Sequence, residues 1–218
     1  MAVLKIGVLI SGRGSNLQAL IDACAEDGFP ARIAIVISNK PDAYGLERAR
    51  LAEIPTATVP HGSFSSREAF DQEVDRHLRE AGVRLVCLAG FMRLLSESFV
   101  RGWKDRMINI HPSLLPAFKG LNTHARTLQA GVRIAGCTVH YVRPEMDEGP
   151  IIMQAAVPVL AGDREDDLAN RILCQEHLIY PAAVRLIAEG RVRIAGESCI
   201  ITGSGNDSAI TEALVSPK

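Results

Sequence analysis

Aromatic side chains are scarce, at 5% of 218 residues, and tryptophan occurs once. No apolar run is long enough to span a bilayer. The formal net charge is −1, so the basic excess that marks a nucleic-acid binder is missing. Cys24, Cys87, Cys137, Cys174 and Cys199 are odd in number, scattered, and never spaced as C-x-x-C. That pattern fits buried thiols in a reducing cytosol better than disulfides or zinc. No set of histidines and acids has metal-ligand spacing, so no metal is expected. Met1-Ala2-Val3-Leu4-Lys5 lacks the layout of a signal peptide. There is no internal repeat, low-complexity block or linker. With 47% hydrophobic residues, the expectation is a soluble cytoplasmic chain built as one large α/β domain.

What is present alternates. Lys5 to Ile10 is a near-continuous apolar run, the pattern of a parallel strand buried on both faces. Ser11 to Ser15 turns the chain, and Asn16 to Ala25 has helical spacing through Leu17, Leu20 and Ile21. Ile33–Ile37, Thr56–Val59 and Leu85–Ala89 read as further strands, with helices over Tyr44–Ala52 and Arg67–Ala81 between them. Phe70, Val74 and Leu78 share one face of the second of these helices. Ser96 is placed to cap a helix running to about Trp103. Strand–helix alternation with short connections predicts a doubly wound, Rossmann-like sheet, mostly parallel.

After residue 136 the rhythm changes. Cys137–Val142 and Ile151–Val159 are both β-rich, and only a loop separates them, so they are expected to pair antiparallel and make the sheet mixed. Asp163 is expected to cap a long helix reaching about Glu189, kinked at Pro181 and stopped at Gly190. From Gly203 onward the composition is small and polar, which predicts a loosely ordered tail over 204–218.

Two stretches carry chemistry. Met107-Ile108-Asn109-Ile110-His111 is a short strand in which Asn109 and His111 project to the same face. Pro112 ends the strand, leaving a carboxamide and an imidazole side by side at its C-terminal end, where open α/β sheets bind ligands. Gly12-Arg13-Gly14-Ser15-Asn16 follows a buried strand and opens a helix, so free N–H groups face an anion there. It is not a dinucleotide fingerprint, because Leu17 occupies the third glycine position. The second strand also ends in Ser38-Asn39, not the acid that would hold a ribose diol. Nor does Gly-Lys-Ser/Thr follow, so it is no P-loop. Taken alone, the turn is also what any strand-to-helix connection looks like.

Asn109-Ile110-His111-Pro112-Ser113-Leu114-Leu115-Pro116 resembles the signature of the folate-dependent formyltransferases. Gly12–Asn16, Ala89-Gly90-Phe91-Met92-Arg93 and Asp147-Glu148-Gly149-Pro150 point to the branch that acts on phosphoribosylglycinamide in purine biosynthesis. The resemblance runs from about Val3 to about Glu189, with the motifs in the family's order. It implies one formyltransferase domain over 1–203, with 1–105 as the phosphate-binding half and 106–203 as the catalytic and folate half. It also implies 10-formyltetrahydrofolate as co-substrate and glycinamide ribonucleotide as acceptor, in a monomer or weak homodimer that binds neither nucleic acid nor membrane. The tight return after His111, together with the resemblance, predicts a cis Leu115-Pro116 bond.

The resemblance also assigns roles. Asp147 is placed beside His111, where a carboxylate stabilises imidazolium. An amine attacking a formyl carbon passes through a tetrahedral oxyanion, and the folate nitrogen must be protonated as it leaves. Asn109 can donate to the oxyanion and His111 can donate or transfer a proton. Gly14, Ser15 and Asn16 are assigned the phosphate, and Leu173, Cys174, Gln175 and Glu176 the ribonucleotide. Arg67, Met92, Arg93, Leu94 and Leu95, with Asn109 and Arg143, Pro144, Glu145, Met146 and Asp147, are assigned the folate. One departure is Asn122, where the family has histidine: Asn hydrogen-bonds but cannot carry a proton's charge. His61, His77 and His177 read as surface or helix histidines, and His140 as a satisfied strand residue.

Related chemistries compete. A formyltransferase acting on charged initiator tRNA shares the trio but needs a C-terminal domain and a basic surface, and no more than a short tail is expected after Glu189. A formyltetrahydrofolate hydrolase carries a domain ahead of the first strand, for which the start at Met1 is expected to leave no room. A sugar-nucleotide amine remains open as acceptor, and so does a non-catalytic phosphate-binding module. Asn109, His111 and Asp147 together argue against the last.

Overall fold

The computed structural model of the chain describes residues 3–203. The expected tail over 204–218 lies outside the described residues. The described strands run β1 (Leu4–Ile10), β2 (Ala31–Ser38), β3 (Thr56–Thr58), β4 (Leu85–Leu88), β5 (Met107–His111), β6 (Ile134–Tyr141), β7 (Ile151–Pro158), β8 (Val192–Ala195) and β9 (Ser198–Ile201). The helices are α1 (Ser15–Ala25), α2 (Tyr44–Leu51), α3 (Arg67–Glu80), α4 (Glu97–Gly102), α5 (Thr123–Gln129) and α6 (Glu165–Ala188). Strand order in the seven-stranded sheet is β3-β2-β1-β4-β5-β6-β7, and β8-β9 form a separate pair. The chain divides into two compact units.

The first unit runs to Asn109 and takes in Tyr141–Glu145. Its strands are parallel throughout: β1 pairs β2 and β4, β2 pairs β3, and β4 pairs β5. Val8, Leu9 and Ile10 are fully buried, as expected for a strand covered on both faces. The core joins Leu9, Ile37 and Val86 of the strands to Phe70, Val74 and Leu78 of α3 and to Phe99, Val100 and Trp103 around α4. The expected Ser96 cap forms, its Oγ accepting from the Phe99 amide at the start of α4, and Ser66 Oγ accepts from the Ala69 amide at the start of α3, a cap not among those expected from the sequence. Asp71 is buried on the core side of α3, where one carboxylate oxygen accepts the Ser96 N–H at 2.6 Å. Burial raises the pKa of this carboxyl, and the hydrogen bonds from Ser96 act against that rise.

The second unit comprises Ile110–His140 and the chain from Met146. Here β6 and β7 pair antiparallel from Ile134↔Pro158 to His140↔Ile151, making the sheet mixed as the short connection predicts. Leu115-Pro116 is cis. The long helix α6 runs on through Pro181. Its N-cap is Arg164, not Asp163, with the Asp167 carboxylate accepting the cap's N–H at 3.0 Å. Asp163 instead accepts from the Leu160 amide and forms a two-pronged ion pair with Arg171, at 2.7 and 2.8 Å. Among the described residues, no helix is long and apolar enough to cross a membrane.

Candidate active site

In the first unit, β1 delivers the chain to the glycine-rich turn. Gly14 is the N-cap of α1 at φ 71, a left-handed conformation, and a Cβ there would lie 2.7 Å from the Cα of Gly45. Glycine is therefore needed twice over, for backbone angle and for close approach. The turn's carbonyls are committed to α2: Gly12 O accepts the Gly45 N–H at 3.0 Å and Arg13 O accepts Arg48 Nε at 2.9 Å. No side chain caps α1 and its first turn has no acid. The N–H groups of Ser15 and Asn16 thus open a helix whose positive end has no built-in counter-charge.

Beside it lies the stretch after β4. The Met92 N–H donates to Ser11 Oγ at 2.8 Å, while the Met92 side chain is 68% exposed and that of Leu94 56%. Leu95 is half-buried against the core. Arg93 lays its guanidinium over the Phe70 ring, 4.7 Å from the centroid. Arg67 is the first residue of α3 and exposed. Arg143 is nearly buried and pinned to Asp105 at 2.9 Å, whereas Pro144 and Glu145 are exposed. Asn109 is half-buried on β5, two residues before His111 and on the same strand face.

In the second unit, His111 closes β5 with its side chain 8% exposed. Its Nε2 lies 3.1 Å from the Phe118 carbonyl, and its Nδ1 lies 3.4 Å from Asp147 Oδ1. Each ring nitrogen thus faces an oxygen, one from the main chain and one from a carboxylate. The other Asp147 oxygen accepts the Gly120 N–H at 2.6 Å. The stretch Phe118–Gly120 therefore touches the histidine with a carbonyl and the carboxylate with an amide. Lys119 and Glu148 add an ion pair at 2.6 Å between the same two loops. Asp147, Phe118 and Asn122 all have positive φ, at 52, 53 and 55.

The stretch directly after β5 has its own supports. Thr138 Oγ donates to the Ser113 carbonyl at 2.7 Å and accepts from the Leu115 amide at 3.0 Å and from Gln154 Nε2 at 2.9 Å. Asn122 is the left-handed N-cap of α5, a conformation asparagine tolerates. His124, in the first turn of α5, has its pKa lowered, chiefly by burial. On α6, Cys174 is exposed and Leu173 and Gln175 are half-buried. Glu176 is buried, not solvent-facing as a helical glutamate usually is. His140 is 1% exposed, in keeping with a satisfied strand residue.

Of the expected trio, then, His111 and Asp147 meet, and Asn109 shares a strand face with His111. Sequence reasoning missed the Phe118 carbonyl, the Gly120 amide, and the bonds made by Ser11 and Asn39. Main-chain donors and acceptors leave no mark in side-chain identity, although Gly120 carries the positive φ, 83, that calls for glycine.

The family model described as formyl transferase matches residues 4–184. A trifunctional purine biosynthetic protein adenosine-3 of Bos taurus is 51% identical over 200 residues, 91% of this chain but only 20% of its own length. The chain thus spans about a fifth of that relative. A phosphoribosylglycinamide formyltransferase of Escherichia coli K12 is 48% identical over 92% of this chain and 94% of its own. A solved glycinamide ribonucleotide transformylase 1 from Symbiobacterium toebii superposes with TM-score 0.89 at 53% identity, covering 91% of this chain and 94% of that one.

Proposed function

This chain belongs to the formyl transferase family, and from that membership we propose that it moves the formyl group of 10-formyltetrahydrofolate to the amine of 5'-phosphoribosylglycinamide. The products are the N-formyl ribonucleotide and tetrahydrofolate, a step of de novo purine (IMP) synthesis. The choice of acceptor is supported by likeness to a phosphoribosylglycinamide formyltransferase along 94% of that relative's length.

The observation that carries the chemistry is His111 with an acceptor at each ring nitrogen, one of them the Asp147 carboxylate. The substrate amine attacks the formyl carbon with its lone pair, and the carbonyl electrons move onto oxygen. Asn109 donates its carboxamide N–H to that oxyanion. His111 meets the same centre by exchanging the Phe118 carbonyl for substrate at Nε2, while Asp147 stays at Nδ1 and holds the ring in orientation. When the carbon–nitrogen bond to folate breaks, the leaving nitrogen takes up a proton and the former amine gives one up, so protons balance. Asp147 also positions the water that relays them. No protein nucleophile takes part.

The ligands divide among the residues as follows. Gly14, Ser15 and Asn16 hold the phosphate, and Glu176, with Leu173, Cys174 and Gln175, holds the rest of the ribonucleotide. Met92, Arg93, Leu94, Leu95, Arg67 and the stretch Arg143–Asp147 line the folate: exposed apolar side chains on a loop, flanked by arginines, suit a flat ring with an acidic tail. Five free thiols support a reducing, cytoplasmic setting for a monomer or weak homodimer. The test is an absorbance assay for tetrahydrofolate formation with purified protein, glycinamide ribonucleotide and a panel of amino-sugar nucleotides. Turnover is expected with the first acceptor; faster turnover with an amino-sugar nucleotide would replace this reading.

A further inference from the structure

Ser11 follows directly after β1, and its hydroxyl is almost fully buried. It donates to Asn39 Oδ1 at 2.6 Å, just past the end of β2, and accepts the Met92 N–H at 2.8 Å, past the end of β4. One hydroxyl thus ties the ends of three parallel strands of the first unit. Asn39 is itself buried and within 3.4 Å of His61 through its other amide atom. The Ser11 backbone continues into Gly12, whose carbonyl is held by Gly45. A buried hydroxyl with its hydrogen and one lone pair both engaged has a single favourable orientation, and leaving either partner unmatched in such a site is costly.

The two stretches that meet at this hydroxyl are the ones given separate ligands above. On one side is the glycine-rich turn, which opens α1 without a side-chain cap; on the other is Met92–Leu95, with two exposed apolar side chains. A ring bound over Met92 reinforces the existing bond from the Met92 N–H to Ser11, and through the Ser11 rotamer it steadies the start of the turn. Each ligand then finds part of its loop already ordered by the other, and linkage makes the effect equal in both directions.

We propose that Ser11 is a positioning residue that couples the two ligand loops, so that ribonucleotide and folate each bind more tightly when the other is present. The proposal rests on the functional reading given above.

The test is calorimetric titration of the full chain with tetrahydrofolate, alone and with saturating glycinamide ribonucleotide. Neither ligand carries a formyl group, so nothing turns over. The wild-type ratio of the two dissociation constants is expected to be about 5-fold or more. Ser11→Ala is expected to bring the ratio close to 1, and Ser11→Thr, which keeps the hydroxyl, to restore most of it. If Ser11→Ala fails to fold, Asn39→Ala removes the hydroxyl's acceptor and is expected to lower the same ratio. A merely structural serine would lower the melting temperature and leave the ratio alone. A wild-type ratio of 1, or a ratio unchanged in Ser11→Ala, overturns the coupling while the functional reading stands. Failure of the wild-type chain to bind glycinamide ribonucleotide at all overturns both.

Discussion

Two strand ends in this molecule are built on opposite plans. At the end of β1 the groups proposed to bind are main-chain amides: Gly14 has no side chain, α1 has no side-chain cap, and the carbonyls of the turn are tied to α2. At the end of β5 the working groups are side chains, Asn109 and His111, and the main chain of Phe118–Gly120 serves to hold the ring and its carboxylate. Under the proposed function, the first plan would recognise a charge that is the same before and after reaction, and the second would meet charge that develops and decays during it. Uniform binding shows in affinity, and transition-state contacts show in rate. Substitutions at the two ends should therefore separate cleanly into two kinetic classes.

The largest effect is expected at β5. His111→Ala should slow the chemical step by about 10²–10⁴-fold, and Asp147→Asn, which keeps shape and removes charge, by at least about 10²-fold with affinity nearly intact. Because the pair works as one unit, the double variant should cost far less than the product of the two losses. A double-mutant cycle on single-turnover formyl transfer measures this. Fully multiplicative losses would mean that Asp147 acts independently of His111.

At β1 the effect should be smaller and of the other kind. Ser15→Asp sets a carboxylate against the substrate phosphate at a partly exposed helix end, where like charges repel by about 1–4 kcal/mol, so ribonucleotide binding should weaken by about tenfold or more. Folate affinity and single-turnover rate at saturation should change little. Binding titrations with each ligand check the split, and equal loss for both would break the assignment.

The smallest effect comes from a carboxylate outside both plans. Asp163 is held at about 2, first by the hydrogen bond from Arg171 and also by the Leu160 amide. A depressed group adds stability above the ordinary carboxylate range and loses it as pH falls through its folded value. Asp163→Asn should cost about 1–2 kcal/mol near neutrality, with no change in rate. The gap in melting temperature from wild type should narrow below about pH 4. A rate loss like that of Asp147→Asn would show that the contrast between these two aspartates is misplaced.

The sequence made the first unit legible because buried parallel strands read as continuous apolar runs, bounded by turns and by helices, one of them with a serine cap at Ser96. It was silent on α5 because the residues this helix buries are Thr123 and Thr127, so no apolar stripe marks its period. The β8-β9 hairpin escaped notice because its strands are four residues each and half-buried, too short for alternation to stand out. Asp163 looked like a cap because its residue type suits one; a nearby arginine on α6 claimed it instead. At the candidate site, Asp147 could be set beside His111 only through the family resemblance, and the groups that hold the two were not legible at all. His111 and Asp147 stand 36 positions apart, and what joins them is the backbone of a loop whose shape no side chain announces.

Phe118 has a consequence for anyone wishing to make this protein sturdier. It sits at φ 53, where a bulky residue is strained by about 1 kcal/mol or more. A stability screen would accordingly favour Phe118→Gly, an exchange that relieves the backbone at a position lacking any obvious chemistry. Yet the carbonyl of that residue faces His111 Nε2, and its ring lies under Arg126. Relaxing it would let the imidazole's partner wander. The relieved strain would be set against the lost ring contact and the added freedom of glycine, so little stability would be gained while turnover declined, which makes this position a poor choice for engineering.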